Sequence, residues 1–255
     1  MDATPAQTGN GVVSVLSSHR SERCFIDEPV DDQALHQILD CARRAPNWNN
    51  GQQVTTIVVQ NPGRRSRLAE LCGHQEKIVQ APVFLALVMD FHRTARAAAL
   101  HQREQRVQGN LNGVLIGAVD VGIVLGTMMA AARSLGLGVC PIGGIRRQPR
   151  AVCRLLDLPP LTFPMAGLCV GHVADQAHPL KPRISLESFA HGESYVSELT
   201  SGAIGPLDDA YVAYAAAMGR SDAATWSDGI SRRYAVTGDY AEVTPVLREQ
   251  GFGLE

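Results

Sequence analysis

Residues 111–138, LNGVLIGAVDVGIVLGTMMAAARSLGLG, form an apolar run of roughly the length a bilayer requires, and any fold of this chain must find a place for it. Asp120 sits near its middle, the chain has no second such run and flanking cationic clusters are weak, so the run reads as a buried core helix. Gly113, Gly117, Gly122 and Gly126 give that helix faces on which another backbone can approach closely. A helix this apolar needs surroundings to cover it. The 255 residues are enough to build them as one large α/β domain without a metal or disulfide staple.

The flanking sequence supplies those surroundings. EPVDDQALHQILDCARRAP offers Asp31 or Asp32 as an N-cap, Leu35, Ile38, Leu39 and Ala42 at helical spacing, and Pro46 as a stop. VTTIVV (54–59) and VFLALVMD (83–90) read as buried strands, separated by a helix carrying Leu68 and Leu71. After the long helix come a short strand at VCPI, a helix around AVCRLLDL and an apolar strand in FPMAGLCVG (163–171). Strands alternating with helices predict an α/β architecture with a sheet of about four or five short strands. From residue 192 the texture turns to Gly, Ser and Asp, followed by helical patterns near 207–218 and 240–250. The expected division is a main domain over 1–195 and an extension over 196–255 that wraps the domain or a partner.

Lys and Arg nearly balance Asp and Glu, for a formal charge of −2, which argues against a protein that coats nucleic acid or an anionic membrane. Any anion site must be local. The six cysteines form no CxxC pair and read as free thiols in a reducing compartment. The polar opening MDATPAQTGNG is unlike a secretory signal, so the expected location is cytoplasmic. No Walker lysine motif, Gly-x-Ser-x-Gly elbow or His-Glu-x-x-His helix is present, and the histidines lie apart, so no metal site is expected.

Three stretches remain for chemistry. In LGLGVCPIGG (135–144) the order is helix, turn, strand, the reverse of a dinucleotide-binding loop, so Gly136 or Gly138 reads as a helix C-cap. Gly143 and Gly144 follow a short strand and leave backbone N–H groups bare beside a flat ligand. In HPLKPRI (178–184), Lys181 and Arg183 alternate around Pro182, which extends the backbone and lets both cations project to one side. SHRSERCF (18–25) adds His19, Arg20, Ser21 and Arg23 as fixed donors. Such donor clusters suit a phosphorylated, flat ligand.

HRSERCFIDEPV, GHQEKIVQAPVF, SLGLGVCPIGGIR, GLCVGHVAD and LKPR, in this order, resemble the oxygen-insensitive NADPH nitroreductase and flavin reductase branch of the nitroreductase superfamily, with a weaker echo at TWSDGISRR (225–233). The resemblance implies an α/β (α+β) FMN-binding fold: a central mixed sheet flanked by helices, with a C-terminal helical extension. It implies a homodimer whose protomers share two non-covalent FMN sites. By resemblance His19, Arg20, Ser21, Lys181 and Arg183 face the phosphate and ribityl end, Arg23 the pyrimidine edge, Gln75 the ring, and the strand end at Ile142, Gly143 and Gly144 the N5 and O4 atoms. PNWNNGQQ (46–53) takes the place of the family's serine-rich ribityl loop. Gln52 fits the pattern there, and Asn47 and Asn49 offer amides in place of hydroxyls.

Trp48, Arg146 and Arg220 are candidates for contact with substrate or NAD(P)H. Arg220 alone stands where strongly NADPH-selective relatives carry several arginines, and Pro141 replaces a common aromatic residue. The implied activity is ping-pong transfer of electrons from NADPH or NADH, through FMN, to nitroaromatic or quinone acceptors, with no side-chain acid or base and no metal. Alternatives are a reductase that supplies reduced flavin to a partner, and a flavin-binding protein without turnover. Neither nucleic acid nor a membrane is an expected partner.

Overall fold

The computed structural model of the protein describes residues 11–173, 179–220, 223–236 and 238–255. Two compact units emerge: Met1–Ala174 with Tyr240–Glu255, and Asp175–Asp239. The expected break at 195/196 differs from this division, because the last residues pack into the first unit.

The first unit runs α1 (Gly11–Ser17), α2 (Asp32–Ala42), β1 (Val54–Val59), α3 (Pro62–Leu71), α4 (Glu76–Gln80), β2 (Val83–Asp90), α5 (His92–Leu100), α6 (Leu111–Ser134), β3 (Gly138–Ile142), α7 (Pro149–Leu155) and β4 (Thr162–Gly171). The strands form one sheet in the order β1-β2-β4-β3. Val54 pairs with Met89, Val83 with Val170 and Gly138 with Gly171, antiparallel throughout. This corrects the mixed sheet implied by resemblance. Unbroken apolar strands with helices between them mark a sheet covered on both faces, and an antiparallel sheet so covered carries the same signature as a parallel one.

Every residue of β2 is buried, and its side chains divide by the period of two. Leu85, Leu87 and Met89 join Ile38 of α2 and Val121 and Met128 of α6 in one core. Phe84 and Ala86 join Leu68 of α3, Ile78 of α4 and Val152 of α7 in the other.

Local chemistry sets the element ends. The Asp31 carboxylate accepts from the Ala34 N–H at 3.0 Å and caps α2. After α6 the chain turns at Gly136, whose φ of +79° suits a residue without a Cβ. Gly138 is not a cap but opens β3, where a Cβ would lie 2.4 Å from Val173. The four glycines of α6 also divide. A Cβ at Gly113 would lie 2.2 Å from the Val107 carbonyl, and one at Gly117 would lie 2.3 Å from Met89 Sδ, so both glycines seat the helix in its own unit. Gly122 and Gly126 meet nothing within 4 Å and lie on a face with exposed Leu111, Leu115 and Val119.

The second unit holds α8 (Leu186–Phe189), α9 (Ser197–Gly202), α10 (Ile204–Ala217) and α11 (Trp226–Tyr234). Asp208 of α10 accepts from the Ser227 N–H and hydroxyl at 2.7 and 2.6 Å, tying α11 to α10. Those bonds, the hydroxyl's first, hold the Asp208 carboxyl below its ordinary range. Finally α12 (Val243–Glu249) returns to the first unit, where Val246, Leu247 and Phe252 enter the core.

Candidate functional site

Residues 18–25 lie along the end of the sheet. The Glu22 N–H donates to the Val139 carbonyl at 2.9 Å, and Phe25 bridges to Val173. Gly138 permits this approach, since a Cβ there would stand 3.1 Å from Glu22 Cγ. The segment brings its charges together. Arg133, in the last turn of α6, donates to the Ser18 carbonyl and hydroxyl at 3.0 Å and lies 3.3 Å from His19 Nδ1. Arg20 Nε lies 3.8 Å from Glu22, and Arg23 donates to the Ser21 carbonyl at 3.4 Å. Burial lowers the Arg133 pKa, Glu22 raises it and Arg20 lowers it. A guanidinium keeps its charge regardless. Its Nε is buried without a hydrogen-bond partner among the described residues.

Strand β3 leads from this segment to Ile142, Gly143 and Gly144. Ile142 is buried, Gly143 is exposed and Gly144 is buried. A Cβ on Gly144 would lie 2.3 Å from Gln75 Nε2 and 2.4 Å from the Cys72 carbonyl. Only glycine lets this turn rest on the Gln75 amide, which itself donates to Cys72 O at 2.7 Å. Two residues far apart in sequence thus share one place. Burial raises the pKa of Cys140, Cys169 and Cys72, the last to about 12, despite Lys77 and Arg23 near Cys140. These buried thiols, held protonated, are poor nucleophiles, whereas Cys24, beside Arg23, is exposed.

The Asn-rich loop is built differently. Asn47 Oδ1 accepts from the Gln52 N–H at 2.9 Å, and Asn49, Asn50 and Gln52 hold φ near +50°. Asp120 accepts from the Trp48 N–H at 3.2 Å and from Gln53 Nε2 at 2.6 Å. Arg93, paired with Asp90, donates to the Gln52 carbonyl. Trp48 is half exposed, and the side chains of Asn49 and Gln52 are exposed. Sequence reasoning used Asp120 only to argue against a membrane span and passed over Arg93 and Arg133. The available signal was a lone acid and a terminal arginine in an otherwise apolar helix.

Arg146 is committed inward: it donates to the Met165 carbonyl and lies 5.8 Å over the Tyr240 ring. Lys181 and Arg183 belong to the second unit. There Lys181 Nζ stands 5.5 Å over the Tyr211 ring, and Arg183 donates to the carbonyls of Lys181 and Pro182 at 3.2 Å. Arg220 lies 5.9 Å over the Tyr214 ring. In TWSD, Thr225 caps α11 by accepting from the Asp228 N–H at 3.2 Å. His178, the Ala174–Asp175 end of the GLCVGHVAD motif and Ser221–Asp222 beside Arg220 lie outside the described residues.

The nitroreductase family model matches residues 16–172, which carry both donor-rich places and the loop. The chain belongs to the nitroreductase family. The family's C-terminal domain matches residues 181–255 of this nitroreductase-family protein. A Bacillus subtilis protein named as an NAD(P)H FMN reductase is 42% identical over 250 residues, covering 96% of this chain and 99% of that protein. An oxygen-insensitive NADPH nitroreductase of Salmonella typhimurium is 33% identical over 243 residues, covering 94% of this chain and 97% of that protein. The solved structure of B. megaterium NfrA2 superposes with a TM-score of 0.93 at 41% identity, covering 97% of this chain and all of that one. In the nitroreductase-family protein the candidate residues fall into two places, one at His19–Arg23 with Gln75 and Gly143–Gly144, and another at Asn47–Gln52.

Proposed function

We propose that the protein is an FMN-dependent oxidoreductase that takes electrons from NAD(P)H and passes them to small electron-poor acceptors, nitroaromatics or quinones. The observation that carries this reading is the exposed Gly143 beside Gly144 and Gln75, next to a cationic segment. The residues fit the cofactor: the exposed backbone of Gly143 and the amide of Gln75 suit the edge of a flat heterocycle. The cluster of His19, Arg20 and Arg133, with a buried unpartnered Nε, suits a phosphate. Bound flavin supplies the redox chemistry, accepting electrons from the nicotinamide and yielding them to the acceptor. Arg23 would stabilise negative charge on the reduced ring, and Gln75 and the turn would orient it. Donor and acceptor would use the bound flavin in turn, a ping-pong order.

The same reading calls for two copies of the chain. Asp120, which holds the loop, and Arg133, which holds the phosphate cluster, are 13 residues apart on α6, about 20 Å at 1.5 Å per residue. A ribityl chain and its phosphate are neighbours, so the loop of one protomer completes the site of its partner. The exposed stripe of Leu111, Leu115 and Val119 beside Gly122 and Gly126 gives a second copy an apolar seat. The homodimer is assigned to the cytoplasm, where its free thiols stay reduced.

A second reading is favoured by the name of the Bacillus subtilis relative, an NAD(P)H FMN reductase: reduction of free FMN. Anaerobic stopped-flow reduction of bound flavin by NADPH and NADH, followed by an acceptor screen, decides among these. Reduction by either donor supports the enzyme, and turnover of free FMN in preference to quinones selects the second reading. Flavin that stays oxidised with both donors makes the protein a flavin binder. Arg20→Ala is expected to weaken FMN binding about tenfold or more, the value of a charge-assisted hydrogen bond. Unchanged affinity places the phosphate elsewhere.

A further inference from the structure

Asp120 is 2% exposed in the middle of an apolar helix and makes none of the ligand contacts assigned above. A carboxylate so placed persists only if hydrogen bonds hold it. Among the described residues its hydrogen bonds go to one loop: its two oxygens share the Trp48 N–H, and one accepts from Nε2 of Gln53, itself 1% exposed. The bonds grip the two ends of a segment in which Asn49, Asn50 and Gln52 are left-handed, a conformation that survives only under constraint from its surroundings. Gly51 completes the fit, since a Cβ there would stand 2.1 Å from Gln53 Oε1. Gln53 is anchored in turn, because its carbonyl accepts from the Asp90 N–H at 3.0 Å.

We propose that Asp120 is a positioning residue for cofactor binding: it holds Trp48 and the amides of Asn49 and Gln52 in the arrangement that receives the ribityl chain, an inference that rests on the flavin reading above. Asp120 touches no ligand itself. Its effect passes through the backbone of Trp48 and the amide of Gln53.

The test compares the FMN-loaded wild type with Asp120→Ala, Asp120→Asn and Met128→Ala. Met128 is buried on the same helix in a purely apolar setting and controls for loss of stability alone. FMN affinity, the visible circular dichroism of bound flavin and Tm are read for each. Asp120→Ala is expected to weaken FMN about tenfold and to alter the visible dichroism. Asp120→Asn keeps one acceptor oxygen and falls between wild type and Asp120→Ala, which gives a measurable answer even if the alanine variant folds poorly. Met128→Ala lowers Tm with wild-type FMN affinity and dichroism. Wild-type affinity in both Asp120 variants, or an equal loss in Met128→Ala, overturns the assignment while leaving the flavin reading intact. A wild type that binds no FMN overturns the flavin reading and this inference with it.

Discussion

Two adjacent glycines separate ligand contact from fold. At Gly144 an added methyl meets the Cys72 carbonyl at 2.4 Å, and a backbone atom cannot swing aside. Overpacking of this kind costs about 1–3 kcal/mol. For a chain of this size that lowers Tm by about 2–12 °C. At Gly143 the methyl meets only Arg146 Nη2, at 3.7 Å, an ordinary contact, so Gly143→Ala is expected to melt within about 1–2 °C of wild type. If a flavin lies on this turn, the same methyl intrudes on the ligand, and the overpacking cost becomes a loss of about 5–150-fold in FMN affinity. Thermal melts followed by circular dichroism, with FMN titrations followed by flavin fluorescence, measure both quantities. Wild-type FMN affinity in Gly143→Ala would refute the placement of the ring. Wild-type melting of Gly144→Ala would refute the close contact with Cys72.

Gly117→Leu, against Met89, is expected to destabilise the protomer, whereas Gly122→Leu leaves melting of the protomer intact and weakens association, as read by sedimentation at micromolar concentration. A flavin-replete monomer of the wild type would sink the shared site. Discrimination between NADPH and NADH is expected to be less than about tenfold in kcat/KM, because one exposed cation contributes only about 0.2–1 kcal/mol. A hundredfold preference that survives Arg220→Ala contradicts this. Arg150 donates to Glu249 at 2.6 and 2.9 Å and thereby holds the Glu249 carboxyl below its ordinary 4.5. A depressed carboxyl contributes stability above its unfolded value and loses it as pH falls through the folded one. The Tm gap between wild type and Glu249→Gln is therefore expected to close on acidification below about pH 4.5, and a gap that widens there reverses the assignment.

The fold was legible where one-dimensional pattern and burial coincide. VFLALVMD and the Asp31-capped helix lie where spacing predicts them, whereas VTTIVV forms the expected strand with only Val59 buried, because β1 is an edge of the sheet. Strand direction was not legible, because a sheet buried on both faces leaves no alternation to read. The glycine pattern of α6 announced close packing but not the neighbour. Gly117 serves the core and Gly122 the open face, and only three dimensions separate them. The candidate site was legible through its charged and turn-forming residues. The groups that support it were not: Asp120 meets a partner 72 residues away, and Arg133 reaches Ser18 across 115. Such pairs leave no periodic trace.

The return of the chain after Tyr240 has a consequence for how the protein is made. Leu161 N–H donates to Gln250 O at 2.7 Å, Gly253 N–H donates to Gln108 O at 2.9 Å, and Phe252 packs edge-on against Phe91, ring centroids 6.0 Å apart. A ribosome that has delivered all four strands has not yet delivered the residues that seal the core around Phe91. At about 5–20 residues per second the sheet waits several seconds, with apolar surface open, while the second unit is synthesised. Closure of the first unit thus comes only after the second unit has been synthesised, and loss of Phe252 and Gly253 would open the core around Phe91.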